Sequence, residues 1–205
     1  MITLGLTGSM AAGKSTAGAL LEAMGVPVHE ADAAARAAAH LLPAAFPAAR
    51  YPSIYRRGTL DRRALARLAL TDPAEAARLE ALIHPHVRAA QARFLVRHRR
   101  AGARMVALDV PLLFETGADA LVDATVVVTA PPFLRRARAL ARPGVDAALF
   151  AAVEARQMPE RTKCARADFV VPSGAGRAAL ARGLAVLVGR LTREETGALP
   201  LFPFC

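Results

Sequence analysis

Ile2-Thr3-Leu4-Gly5-Leu6-Thr7, followed at once by Gly8-Ser9-Met10-Ala11-Ala12-Gly13-Lys14-Ser15, is the stretch that decides the fold. The first part is apolar and β-branched, as a short buried strand requires. The second satisfies G-x-x-x-x-G-K-[ST], with Thr16 behind it. Lys14 to Met24 then reads as an amphipathic helix ended by Gly25. Gly8 and Gly13 let the backbone curl so that amide N–H groups turn inward and can hold phosphate oxygens. The helix opening at Lys14 adds the positive end of its dipole. Lys14 is placed to reach the β- and γ-phosphates of a nucleoside triphosphate, and the Ser15 hydroxyl to ligate Mg²⁺. Strand, loop and helix in this order are the context such a loop needs, so a nucleotide site is expected here.

Outward from the loop, strand and helix patterns alternate. Val26 to His29 reads as a second strand closed by Glu30-Ala31-Asp32, with a helical stretch from Asp32 to about Leu42. Residues 43–58 lack periodicity and are expected to be irregular. A run of helices follows, with Asp61 and Asp72 as N-caps and the last helix starting near Pro85. Arg104–Asp109, Asp123–Thr129 and Asp168–Val171 complete the strands, and Ala175–Glu195 a closing helix. Short, wholly apolar strands between helices imply a parallel sheet covered on both faces. The expected fold is therefore α/β, a parallel five-stranded sheet with helices on both faces of the P-loop kinase type. Within one unit of 205 residues, the core is expected at 1–35, 101–131 and 166–196. A helical substrate-binding insert is expected at 36–100 and a lid at 132–165.

Composition narrows the class further. With 54% hydrophobic and 21% charged residues the chain is globular, and the absence of an 18-residue apolar run excludes a helical membrane span. Its net charge of +10 comes almost wholly from arginine, since lysine occurs only at Lys14 and Lys163. Arginine suits polyanionic ligands, although a biased genome composition gives the same excess. No aromatic-interleaved basic motif accompanies the charge, so no nucleic-acid partner is expected. Cys164 and Cys205 have no partners at metal spacing, which argues against zinc; a disulfide between the two is the open alternative to free thiols in a reducing compartment, which fits a two-cysteine chain better. The start lacks a signal-peptide n-region, so a cytoplasmic protein is expected; a monomer or weak homo-oligomer is a separate expectation.

The loop alone does not separate kinases from GTPases or motor ATPases. A GTPase needs an Asn-Lys-x-Asp base reader, and the chain contains no asparagine. Motor ATPases run longer and end a strand in paired acids, whereas Met105–Asp109 ends in one acid followed by Val110-Pro111. A small-molecule kinase remains, with a nucleoside, nucleotide or small alcohol as open alternatives for the acceptor. Such an enzyme needs a group that orients and deprotonates the acceptor hydroxyl. Asp32, at the C-terminal end of the second strand, is the candidate, with helix capping as its competing role. Among Arg135, Arg136, Arg138 and Arg142, before the Pro143-Gly144 break, Arg136 and Arg142 are the candidates for neutralising the migrating phosphoryl group.

Several further elements resemble one family. Glu30-Ala31-Asp32 with Arg36 is similar to its acidic substrate motif, and Gly58 to Leu65 to its G-x-L-D-R-x-x-L element. Leu79-Glu80-Ala81-Leu82-Ile83-His84-Pro85, Asp109-Val110-Pro111-Leu112-Leu113-Phe114-Glu115 and Arg156-Gln157-Met158 resemble the rest, in order and with matching spacing. The family is dephospho-CoA kinase. The resemblance implies transfer of the ATP γ-phosphate to the ribose 3′-hydroxyl of dephospho-CoA, with Mg²⁺. It also implies Asp32 as base and Ala11, Ala12, Gly13, Lys14, Ser15 and Thr16 lining the triphosphate. Arg36, His84, Leu113 and Glu115 would border the acceptor site. The chain departs from the family pattern in Ser9 and Ala11, where glycines are frequent, in Glu30, which replaces an Asp, and in lacking an Asn near Pro172–Gly174.

Overall fold

The computed structural model describes residues 1–194. Expectations placed on the end of the chain, from Glu195 through Gly197 to Cys205, lie outside the described residues. Along the chain run β1 (Ile2–Thr7), α1 (Lys14–Ala23), β2 (Val28–Glu30), α2 (Ala31–Ala37) and α3 (Leu42–Ala45). Next come the short strands β3 (Tyr55–Arg56) and β4 (Thr59–Leu60), then α4 (Arg62–Thr71) and α5 (Pro73–Arg100). β5 (Met105–Asp109), β6 (Ala124–Thr129), α6 (Pro132–Leu140), α7 (Ala147–Arg156), α8 (Glu160–Arg166), β7 (Phe169–Pro172) and α9 (Arg177–Glu194) follow. Contacts divide the chain into two compact units, one formed by residues 1–30 and 94 onward, the other by 31–93. Among the described residues no helix is long and apolar enough to cross a membrane.

The first unit holds the five-stranded sheet, ordered β2-β5-β1-β6-β7, with every pairing parallel. Parallel strands have both faces to bury, and the residues oblige: β5 is buried throughout and β6 from Ala124 to Val128. One face packs Leu4, Leu6, Val126 and Val128 beneath Leu20 and Leu21 of α1 and Leu180, Leu184 and Leu187 of α9. Val106 and Leu108 point to the other face and meet Phe94. Register fixes the functional edge. Leu6 and Glu30 both pair with Asp109, so β1 and β2 release their chains at one level of the sheet. His29, in the edge strand β2, stacks on Phe94 at 5.3 Å between centroids, and burial lowers its pKa below the usual histidine value.

The second unit has its own core of Leu42, Phe46, Tyr51, Ile54 and Leu65. Asp61 caps α4 by accepting from the Arg63 and Ala64 amides, and Asp72 accepts from Ala74 and Glu75 at the head of α5. Two local features differ from expectation. The region expected to be irregular ends in β3 and the turn of a β3–β4 hairpin, closed by Arg57 (φ 50) and Gly58 (φ 76), the positive-φ pair of a two-residue turn. Pro85 does not begin a helix; it lies inside α5, which is continuous over 28 residues. Proline removes one intrahelical bond, and helix-favouring alanine and leucine on both sides carry the helix through.

Candidate functional site

The loop after β1 is shaped by contacts that leave no room for side chains at Gly8 and Gly13. A Cβ on Gly8 would stand 2.5 Å from the Val128 carbonyl oxygen. Gly13 adopts φ +99 just before α1, and a Cβ there would meet Ser173 Oγ at 3.1 Å. Ala11 also takes a left-handed conformation, φ 62, which costs an L-residue about 1 kcal/mol. Its methyl is buried against Ala139 and Phe150, with Met10 and Val145 beside them, so α6 and α7 seal the apolar side of the loop. The Ala12 N–H closes onto the Ser9 carbonyl at 3.0 Å. The Ser173 hydroxyl donates to the Ala12 carbonyl, and the Met10 N–H donates to Gln157 Oε1 at 3.0 Å.

Lys14, the first residue of α1, forms an ion pair with Asp109 at the end of β5. Both side chains are largely buried, 16% and 8% exposed. The exposed Ser15 follows in the first helical turn. A serine hydroxyl and a carboxylate are oxygen ligands of the kind a hard divalent cation takes. Among the described residues no three His, Cys, Asp or Glu side chains converge on a possible metal position. That donor set fits a cation bound chiefly through phosphates, with one or two protein oxygens.

The arginines of α6 divide by helical phase. Arg138 donates to Ser173 Oγ at 3.1 Å and to the Ser173 carbonyl at 3.2 Å, which brings its guanidinium beside Gly13. Arg135 is buried between Glu154 and Glu160, with its Nε 2.8 Å from a Glu160 oxygen. Arg136 and Arg142, the pair expected from sequence, are both exposed. Arg138 is thus the arginine docked against the phosphate loop. A separate cavity of about 620 Å³ is lined by Pro131, Glu160, Cys164, Gly174 and Ala175.

In the second unit, Asp32, Arg36 and His84 come together on one cavity of about 500 Å³. Leu42, Leu65, Leu79 and Ile83 supply its apolar wall, and Arg62 and Glu80 further charge. Asp32 is the second residue of α2, inside its first turn, two positions after the last residue of β2. His84 lies in the interior of α5 and therefore caps no helix. Leu113 and Glu115 are not part of this cavity. Leu113 is 0% exposed in the core, its Cδ2 close over Gly5. Glu115 Oε1 accepts the Met158 N–H at 2.7 Å and lies 2.9 Å from Lys163 Nζ.

A family model described as dephospho-CoA kinase matches residues 2–178. A dephospho-CoA kinase of Paramagnetospirillum magneticum is 49% identical over 170 residues, covering 80% of this chain and 78% of the relative. One from Mesorhizobium japonicum is 46% identical over 176 residues, 86% and 89% of the two chains. Among solved structures, TT1252 from Thermus thermophilus superposes with a TM-score of 0.78 at 38% identity, over 93% of this chain and 97% of that one. The fold is also that of a dephospho-CoA kinase from Campylobacter jejuni, with a TM-score of 0.66 at 20% identity over 95% and 98% of the chains.

Proposed function

Because the chain belongs to the dephospho-CoA kinase family, we propose that it transfers the γ-phosphoryl group of ATP to the ribose 3′-hydroxyl of dephospho-CoA, giving coenzyme A and ADP. The observation that carries this is the Gly8–Lys14 loop, with Lys14 held by Asp109 at the C-terminal edge of a parallel sheet. Loop amides and the Lys14 ammonium bind the β- and γ-phosphates, and Arg138 adds positive charge from α6. Mg²⁺, held by Ser15 and the nucleotide, supplies further neutralisation of the phosphates when bound. Asp32 orients the 3′-hydroxyl and takes its proton as the new P–O bond forms and the bond to the departing ADP breaks. Arg36 and Arg62 suit the diphosphate of the acceptor, while Leu65, Leu79 and Ile83 suit its apolar parts. In this reading residues 31–93 are the acceptor-binding insert and α6 to α8 the lid.

A coupled assay of ADP release, run with dephospho-CoA and with a panel of nucleosides and small alcohols, tests the proposal. Turnover confined to dephospho-CoA, with the product carrying a 3′-phosphate by ³¹P NMR, is the expected result. Turnover of a nucleoside in its place would transfer the reading to another acceptor.

A further inference from the structure

The connector between α7 and α8 is pinned on two sides by contacts that the transfer chemistry does not use. Gln157, just past α7, sends its Oε1 to the Met10 N–H inside the phosphate loop at 3.0 Å. Its neighbour Met158 donates its N–H to Glu115 Oε1 at 2.7 Å. Glu115 in turn faces Lys163 of α8, 2.9 Å away and 0% exposed. That ion pair is poorly completed. Lys163 Nζ meets no hydrogen-bond geometry among the described residues, and Glu115 Oε2 is buried without a hydrogen-bond partner. A buried pair with unfilled capacity gains little stability over apolar side chains of the same size, whereas it does fix the position of what it holds. What it holds here is the Gln157–Met158 dipeptide, extended at Gln157, and through it the first half of the loop.

We infer that Gln157 is a positioning residue for ATP, set in place by the Glu115–Lys163 pair. Its side-chain carbonyl occupies the Met10 amide and so holds the loop in its phosphate-binding curl before ATP arrives. With Ala12 turned onto Ser9, the later loop amides are left to the triphosphate. This role takes Glu115 away from the acceptor, where the family resemblance had put it. The inference rests on the loop being an ATP site. An unmodified enzyme that bound no ATP would remove that premise, whereas the variants below address Gln157 alone.

Gln157→Leu keeps the side-chain bulk and loses the acceptor. Loss of one neutral hydrogen bond predicts an ATP dissociation constant and KM raised about fivefold, with kcat and the KM for dephospho-CoA within about twofold. The paired variant Glu115→Leu/Lys163→Met removes both charges together, and with them the acceptor of the Met158 N–H, so its melting temperature should fall by no more than about 6 °C while the ATP KM rises by a similar factor. Combining the two sets should give less than the product of their effects, because they act along one chain of contacts. ATP affinity left unchanged in Gln157→Leu would overturn the inference. So would a loss confined to kcat or to dephospho-CoA affinity, or a paired variant that keeps its ATP affinity.

Discussion

Replacing Lys14 by methionine should weaken the fold as well as the chemistry, and the two losses can be read separately. The substitution keeps most of the stem and removes the ammonium that faces Asp109, a carboxylate only 8% exposed on its side chain. Removing one partner of a fully buried pair costs about 3–5 kcal/mol. Lys14 retains 16% exposure at the mouth of the loop, so solvent recovers part of this, leaving a cost of about 2–3 kcal/mol. For a chain of this size about 1 kcal/mol shifts the melting temperature by 2–4 °C, which predicts a fall of about 4–12 °C in nucleotide-free enzyme. Lys14→Met/Asp109→Asn, with both charges gone, should regain most of that fall yet stay inactive, since the phosphates still lack their cation. Differential scanning calorimetry without ATP, alongside the ADP-release assay, measures both. A single variant that melts within about 1 °C of the unmodified enzyme, or a double variant less stable than the single one, would refute the pair's assigned energetics.

Asp32→Asn should lower kcat by about 10² or more with ATP affinity retained, measured by steady-state kinetics and calorimetric titration; an unchanged kcat would leave Asp32 a structural residue of α2. His29 has a folded pKa below its unfolded value because burial opposes the charge. The unfolded chain therefore binds the proton first, and stability present above about pH 6.5 falls as pH drops towards the folded pKa. Melting temperatures between pH 7.5 and 5.5 should fall less steeply in His29→Phe than in the unmodified protein, wherever both remain folded. Ala11→Val puts a β-branched side chain at φ 62 in a site 6% exposed, and should abolish measurable ATP binding. Ala11→Gly should be close to neutral in thermal melts, because backbone relief and the lost methyl contact offset each other.

The phosphate loop was legible because its chemistry is local, with strand, glycines, lysine and helix start following within about a dozen residues. The caps at Asp61 and Asp72 were legible for the same reason. Asp109 reads in sequence as the acid ending a strand and as the head of a family element, whereas its partnership with Lys14 depends on the β1–β5 register across 95 residues. Sequence alone points to Arg136 and Arg142 among the α6 arginines; both are exposed, and Arg138 is the one that meets Ser173. The phase of a helix against a distant loop is not written in its own sequence. Proline favours the first turn of a helix, so Pro85 reads in sequence as a helix start, and the long flanks that override it are a non-local sum. Gln157 was visible only as part of a family motif. Nothing in its spacing says that its amide reaches back 147 residues to Met10.

Both lysines of the chain meet acids of the single segment 109–115: Lys14 meets Asp109, and Lys163 meets Glu115. Amine chemistry on this molecule is therefore nearly mute outside the site. Lys163 has no exposed surface, so apart from the chain's α-amine, Lys14 is the one amine an acylating reagent can reach. Mass-spectrometric acylation becomes a built-in occupancy gauge, in which the unlabelled fraction at Lys14 counts the loops that hold a nucleotide when the reagent arrives.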